Sequence, residues 1–233
     1  MKSVFITGGN RGIGFETARQ MGKLGYHVII SSRKEEDAKE AVEKLSNDGV
    51  KADYVIMDVE NTASVEKAVA AVSELVNGVL DALINNAGYI NPKGDKEKID
   101  LESLRKCFEV NVVGTANVTN RCLEMVKKAP QGRIVNVSSI MGSCTVGCAG
   151  FDYSPYNISK AALNMYTVKL AAALKETQVK VNCGHPGWVK TAMGGADADL
   201  EVTEGAETSV YLATLRSDGP TGGFFHKGEQ LPW

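Results

Sequence analysis

No stretch of the chain approaches the ~18–20 consecutive apolar residues that cross a bilayer, so no membrane-spanning helix is expected. Charge of one sign is not in excess either: 26 Lys and Arg face 28 Asp and Glu, for a net charge of −2. That balance leaves no basic footprint for nucleic acid or an anionic membrane surface. Histidine is scarce, and the three residues His27, His185 and His226 are scattered and receive no catalytic part. The five cysteines, Cys107, Cys122, Cys144, Cys148 and Cys183, are odd in number and irregularly spaced. They suit reduced thiols in a cytoplasmic protein better than a disulfide framework. Cys144 and Cys148 have no histidine nearby, and no metal site is expected. There are only six prolines, and no Pro- or Ser-rich linker or internal repeat divides the 233 residues. Residues 1–233 are therefore read as one domain. The run Met1–Ile6 is too short for a signal peptide.

What is present is an alternation of short apolar runs with longer helical patterns. Strands are expected at Ser3–Thr7, His27–Ser31, Asp53–Asp58, Ala82–Asn85, Arg133–Ser138, Lys180–Gly184 and Phe224–His226. Most are rich in Val and Ile, as strands buried on both faces are. Helices are expected near Ile13–Gly25, Glu35–Asp48, Ala63–Val76, Leu104–Lys128, Pro155–Thr177 and Thr203–Leu215. The pattern predicts the α/β class, a doubly wound parallel sheet of about seven strands with helices on both faces. Ligands of such sheets lie across the carboxyl ends of the strands, where Gly8–Gly14, Arg33, Asp58, Asn85 and Ser139 all fall.

Two motifs carry chemistry. Tyr156 and Lys160 stand four residues apart, so on a helix they share a face. A free tyrosine has a pKa of about 10, and a neighbouring cation is expected to lower it toward the working range of a proton shuttle. At the other end, an apolar strand runs into Gly8-Gly9-Asn10-Arg11-Gly12-Ile13-Gly14. Glycines there allow a tight turn and close approach to a phosphate, which the following helix start attracts.

Together these residues resemble the short-chain dehydrogenase/reductase family, along nearly the whole chain. Thr7-Gly8-x-x-x-Gly12-x-Gly14, Asp58-Val59, Asn85-Asn86-Ala87-Gly88, Asn111, Ser139, Tyr156 with Lys160, and Pro186-Gly187-Trp188-Val189-Lys190-Thr191 stand in the family's order. The segment from His185 to Thr191 and the tail Gly228–Trp233 look like a subgroup that holds carbonyl reductases and a signalling protein. The resemblance implies a Rossmann-type fold and a catalytic set of Asn111, Ser139, Tyr156 and Lys160. In it Tyr156 donates the proton, Lys160 lowers the tyrosine pKa and holds the ribose, and Ser139 bonds the substrate oxygen, with Ser138 as the alternative. Asn111 bends a long helix and holds a water of a proton relay. The implied cofactor set is Gly8, Asn10, Arg11, Gly12, Ile13, Gly14, Ser32, Arg33, Asp58, Val59, Asn85, Ala87, Gly88, Tyr156, Lys160, Pro186, Gly187, Val189 and Thr191. Asp58 and Val59 would meet the adenine, Asn85 and Gly88 the ribose side while bracing the central strands, and Pro186–Thr191 the nicotinamide.

The second strand closes on Ile30-Ser31-Ser32-Arg33 with no carboxylate to accept ribose hydroxyls. Arg11 and Arg33 instead suit a phosphate, so NADP(H) is expected over NAD(H). The leading expectation is a carbonyl reductase acting on an aldehyde, ketone or quinone. The alternatives are an alcohol or steroid dehydrogenase working in oxidation, or a nucleotide-binding signalling protein. Tyr153 is set aside because Asn157, four residues on, is not a cation. The long interval from Ser139 to Tyr156 is expected to border the substrate pocket, and a short lid over 194–200 implies an open site. The helices near Leu104 and Pro155 imply a possible homodimer.

Overall fold

The structure, a computed structural model, describes residues 1–147 and 150–233. Cys148 and Ala149, within the interval expected to border the substrate pocket, lie outside the described residues. Eight strands form one sheet in the order β3-β2-β1-β4-β5-β6-β7-β8. They are β1 (Ser3–Ile6), β2 (His27–Ser32), β3 (Ala52–Ile56), β4 (Ala82–Asn85), β5 (Arg133–Val137), β6 (Lys180–Gly184), β7 (Phe224–His226) and β8 (Glu229–Leu231). The first seven pair in parallel, and β8 closes the edge antiparallel to β7. This eighth strand is absent from the sequence expectation because its three residues, Glu-Gln-Leu, are partly or fully exposed and show no apolar run.

Alternate residues of the strands feed two cores, as a pleated strand dictates. Phe5, Ile29, Leu83, Ile134 and Val181 pack on one face against Val65, Val69 and Val72 of α3 (Thr62–Leu75), Val118, Cys122 and Val126 of α5 (Thr115–Lys128), and Ala171 of α6 (Ser154–Ala173). On the other face Val4, Ile6, Val28, Ile30, Ile84 and Val135 meet Ala18 and Met21 of α1 (Gly12–Lys23), Ala41 and Leu45 of α2 (Glu35–Asn47), and Leu212 of α7 (Val202–Ala213). Each fully buried aliphatic side chain contributes roughly 1.5–3 kcal/mol of transfer free energy. The strand order turns outward from β1 and β4, so their carboxyl ends open the crevice of a doubly wound sheet.

Two elements differ from expectation in ways that matter for the site. The helix expected to begin at Leu104 begins at Leu101 as α4 (Leu101–Phe108), where Asp100 accepts from the N–H groups of Glu102 and Ser103. It then passes through a π-helical turn, Glu109–Gly114, before α5. The extra residue of a π turn displaces side chains from the regular helical face, and Asn111 lies in the middle of it. Helix α6 opens with Ser154-Pro155, where a proline needs no N–H partner. That places Tyr156 and Lys160 at the start of the helix, above the end of β5.

Candidate active site

The glycine turn after β1 is fixed by its neighbours. Thr7 Oγ1 accepts from the backbone N–H groups of Asn86 and Ala87 at 3.0 and 2.9 Å, and Asn86 Nδ2 donates to the carbonyls of Thr7 and Gly8 at 2.9 and 3.1 Å. Gly8 N donates to Ser31 Oγ at 3.1 Å. The ends of β1, β2 and β4 are thereby tied together. Gly8 and Gly12 adopt φ of 62° and 54°, which side chains with a Cβ resist. A Cβ on Gly14 would come within 2.4 Å of Asn86 Nδ2 and 2.5 Å of the Gly8 carbonyl oxygen, so α1 approaches the turn as closely as glycine permits. The N-cap of α1, Arg11, offers no side-chain acceptor, and the first turn holds no acid. Its N–H groups and positive dipole end stay available to an anion.

Arg11 and Arg33 are exposed. A groove of about 360 Å³ beside the turn is lined by Asn10, Arg11, Phe15, Asp37, Glu40, Ala41 and Lys44. Its acids lie on α2 and not at the end of β2, and Glu40 is paired with Lys44 at 2.6 Å. Ser32 is buried at the end of β2, where its Oγ accepts from Lys34 N at 3.3 Å. Asp58 Oδ1 accepts from Glu60 N at 3.1 Å, and Asp58 N donates to Ser64 Oγ at 3.0 Å. Half-buried Val59 is pressed against Gly114 of the π turn, where a Cβ would meet the Val59 carbonyl oxygen at 2.9 Å.

Asn85 turns inward. Its Nδ2 donates to Thr119 Oγ1 at 2.9 Å and Asn136 Oδ1 at 2.8 Å, and Asn136 Nδ2 continues to Thr167 Oγ1 at 2.8 Å. This buried polar chain braces β4, β5, α5 and α6. The Asn85 amide donor is spent within the protein, as is that of Asn86 on the glycine turn, which leaves Ala87 and Gly88 as the residues of that motif free to border a ligand beyond the strand end.

The four residues of the implied catalytic set meet at the ends of β4 and β5. Asn111 is fully buried. Its Oδ1 accepts from Tyr89 N at 2.8 Å, and its Nδ2 donates to the Tyr89 carbonyl and to Ser159 Oγ, both at 2.9 Å. Ser159 Oγ in turn donates to the Tyr156 carbonyl at 2.7 Å. Lys160 Nζ donates to the Val137 carbonyl at 2.8 Å and lies 5.5 Å from the centroid of the Tyr156 ring. A Cβ on Gly88 would stand 3.4 Å from Asn111 Oδ1 and 3.8 Å from Lys160 Nζ, so Gly88 keeps that corner open. Of the two serines, Ser138 Oγ is committed to Asn164 Oδ1 at 2.6 Å. Ser139 caps the short 3₁₀ turn Ile140–Gly142, with its Oγ accepting from Met141 N at 3.2 Å, and its hydroxyl lies near enough to that of Tyr156 to draw the phenol pKa down.

Burial dominates the ionisation of the pair. It pushes the Tyr156 phenol up to about 12, with the Ser139 bond acting the other way. It draws Lys160 down to about 8 against the opposing pull of the Cys183 and Cys107 thiols. The shift runs opposite to the lowering expected from a neighbouring cation: desolvation of the phenolate is the largest cause, and Lys160 is not among the groups that move it. The consequence is a Tyr156 that stays a phenol across the neutral range.

The segment after β6 folds back on the glycine turn. Gly187 has a φ of 89°, and a Cβ there would meet Leu200 Cδ1 at 2.3 Å. Val189 is buried and bridges to Leu200. Thr191 Oγ1 accepts from Gly194 N at 3.0 Å, and its Cγ2 lies 3.5 Å from where a Gly12 Cβ would be. His185, given no part in the sequence reading, accepts through Nδ1 from Ile140 N at 3.3 Å and Gly187 N at 3.4 Å. It thereby joins the serine turn to the Pro186-Gly187 turn. Burial, with His226 beside it, pushes His185 down to about 4, which keeps it a neutral acceptor. Other missed contributors are Asn86, legible inside its motif, and Asn91, whose Oδ1 accepts from Tyr156 N at 3.2 Å but which no local pattern marks.

Residues 2–201 match the family described as short chain dehydrogenase. The chain is a member of the short-chain dehydrogenase family. It is 30% identical to Carbonyl reductase [NADPH] 1 of Mus musculus over 272 aligned positions, covering 98% of this chain and 97% of the relative. Among solved structures it resembles the carbonyl reductase Sniffer of D. melanogaster, with a TM-score of 0.90, 30% identity and full coverage of both chains. It also resembles the NADPH-bound carbonyl reductase from chicken fatty liver, with a TM-score of 0.89 and 30% identity over 100% of this chain and 94% of the other.

A dinucleotide suits this short-chain dehydrogenase on its own geometry. The uncapped start of α1 and the left-handed Gly12 offer N–H groups to a phosphate, with Gly8 shaping the turn. The corner at Gly88 leaves room beside Lys160 and Tyr156. Among the described residues no cluster of His, Cys, Asp and Glu is arranged to hold a metal ion, and no helix is long and apolar enough to cross a membrane.

Proposed function

We propose that this oxidoreductase is an NADPH-dependent carbonyl reductase acting on an aldehyde, ketone or quinone, with Tyr156 as proton donor. The observation that carries the reading is the buried Tyr156 phenol, held protonated beside Ser139 and Lys160. The names of the relatives, carbonyl reductases with NADPH among them, support the same chemistry. The start of α1 with Gly8–Gly14 would hold the diphosphate, Arg11 and Arg33 the ribose phosphate, Lys160 the nicotinamide ribose, and Pro186–Thr191 the nicotinamide. When bound, NADPH supplies a hydride to the carbonyl carbon.

The chain's own residues do the rest. Ser139 donates a hydrogen bond to the substrate oxygen as negative charge grows there. Tyr156 delivers its proton to that oxygen. Lys160, charged below about 8, stabilises the phenolate left behind. Asn111 keeps the loop after β4 and the first turn of α6 in register through Tyr89 and Ser159. The four free thiols among the described cysteines fit a reducing, cytoplasmic setting.

The sign of the pH dependence follows from the two groups. Tyr156 keeps its proton up to about 12, so loss of the donor does not set the alkaline limit. Lys160 loses its charge above about 8, and the phenolate formed by proton transfer then lacks its neighbour. Carbonyl-dependent NADPH oxidation is expected to be flat near neutrality and to fall about tenfold per pH unit above about 8. Initial rates across a buffered series decide it. A rate that climbs through this range would contradict the part given to the charged Lys160.

A further inference from the structure

The tail after β7 reaches the catalytic serine by two separate routes. Strand β8 pairs back on β7, Phe224 with Leu231 and His226 with Glu229, which brings Pro232 and Trp233 over the segment that follows Ser139. Ser143 Oγ donates to the Pro232 carbonyl at 3.0 Å. Thr145 donates to the Trp233 carbonyl twice, through its N–H at 3.2 Å and its Oγ1 at 2.6 Å. That is the direct route.

The second route is aromatic. The Trp233 indole stacks on Phe224, with ring centroids 5.6 Å apart and planes 13° from parallel. Phe224 leans on the His185 imidazole at 6.5 Å, and His185 Nδ1 accepts from Ile140 N at 3.3 Å. One tail residue therefore acts on both ends of Ser139–Thr145, through its carbonyl on Thr145 and through its ring, by way of Phe224 and His185, on Ile140. The middle of the segment has no slack, because a Cβ on Gly142 would come within 2.7 Å of the Lys160 backbone carbon and Cβ. A shift at either end of such a segment moves Ser139 against Tyr156.

We propose that Trp233 is a positioning residue for Ser139 and for the substrate-side segment Ser143–Val146, a role that rests on the carbonyl-reductase reading. Ser143 is buried, and its Oγ accepts from Thr145 N and Val146 N, both at 3.2 Å. Cys144, Thr145 and Val146 are exposed, so the outer part of the segment is held by this local turn and, from outside, by the contacts to Pro232 and Trp233. The cofactor residues at the glycine turn lie beyond the reach of these contacts. Disturbing Trp233 is therefore expected to act on carbonyl binding and turnover while largely sparing NADPH affinity, since only the Gly187 end of the cofactor set shares His185 with Ile140.

The test compares the wild-type chain with Trp233→Ala and Trp233→Phe. Amide hydrogen exchange at Thr145 is followed in the free protein, with carbonyl KM and kcat and the NADPH dissociation constant measured alongside. In Trp233→Ala the Thr145 amide is expected to exchange about tenfold faster, and carbonyl KM is expected to rise about tenfold with a fall in kcat. NADPH binding stays within about twofold, and Trp233→Phe, which keeps the stacked ring, restores exchange and KM. Unchanged exchange and KM in Trp233→Ala overturn the proposal. So does a parallel loss of NADPH binding and thermal stability that Phe fails to rescue, because that pattern marks a general structural role. A wild-type chain that turns over no carbonyl overturns the reductase reading, which is seen before any variant is compared. Exchange at Thr145 then decides the clamp by itself.

Discussion

Tyr156→Phe is expected to lower the rate of carbonyl reduction by about 10²–10⁴-fold, the range for removing a positioned general acid. The ring is buried and packed at the start of α6, and phenylalanine fills the same space, so the fold and the neighbouring contacts survive. What disappears is the hydroxyl beside Ser139 and with it the proton proposed to reach the substrate oxygen. NADPH affinity should stay within about twofold, because a loss confined to the transition state leaves ground-state binding intact. Fluorescence titration with NADPH beside steady-state rates separates the two. A variant that keeps its turnover would remove Tyr156 from the acid role.

The second large effect concerns the choice of nicotinamide. Arg33 lies just beyond β2, exposed, and forms no ion pair among the described residues. No carboxylate occupies the end of that strand, where acids accept ribose hydroxyls. Arg33→Asp removes one clamp of the ribose phosphate and puts a repelling charge in its place. Charge-assisted hydrogen bonds are worth roughly 1.5–3 kcal/mol, so kcat/KM with NADPH is expected to fall by about 10–100-fold and that with NADH to rise. Glu40 already occupies the neighbouring groove, but its pairing with Lys44 leaves Arg11 as the remaining cation for the phosphate. Equal ratios of the two cofactors in wild type and variant would contradict the assignment.

Much of the architecture was legible because doubly buried strands carry their own signature. Val4 to Ile6, Val28 to Ile30 and Ala82 to Ile84 are apolar on both faces, and the glycine turn follows the first of them directly. Strand β8 was not legible, since Glu229 and Gln230 are exposed and only its pairing with β7 makes it a strand. The start of α4 was equally hidden: Leu101 is exposed, so the apolar periodicity begins only in the following turn. A π turn at Glu109–Gly114 depends on tertiary contacts such as Val59 against Gly114, which no local pattern encodes.

The candidate site shows the same division. Tyr156, Lys160, Ser139 and Asn111 are local motifs and could be named. The inward turn of Asn85 depends on Asn136, Thr119 and Thr167, which come from three other elements. The part of His185 depends on Ile140, 45 residues away in the chain. The upward shift of Tyr156 is not legible in the spacing, which reveals a neighbouring cation but not the burial that raises the phenol.

Hydride transfer itself is the claim on which the account stands. Reduction of an unlabelled aldehyde or ketone with NADPH carrying deuterium at the reactive carbon of the nicotinamide tests it most directly. The account predicts one deuterium on the carbinol carbon of the alcohol, none on its oxygen after exchange, and loss of product in Tyr156→Phe. NADPH that binds but yields no labelled alcohol with any aldehyde or ketone, and no hydroquinone with quinones, would contradict it.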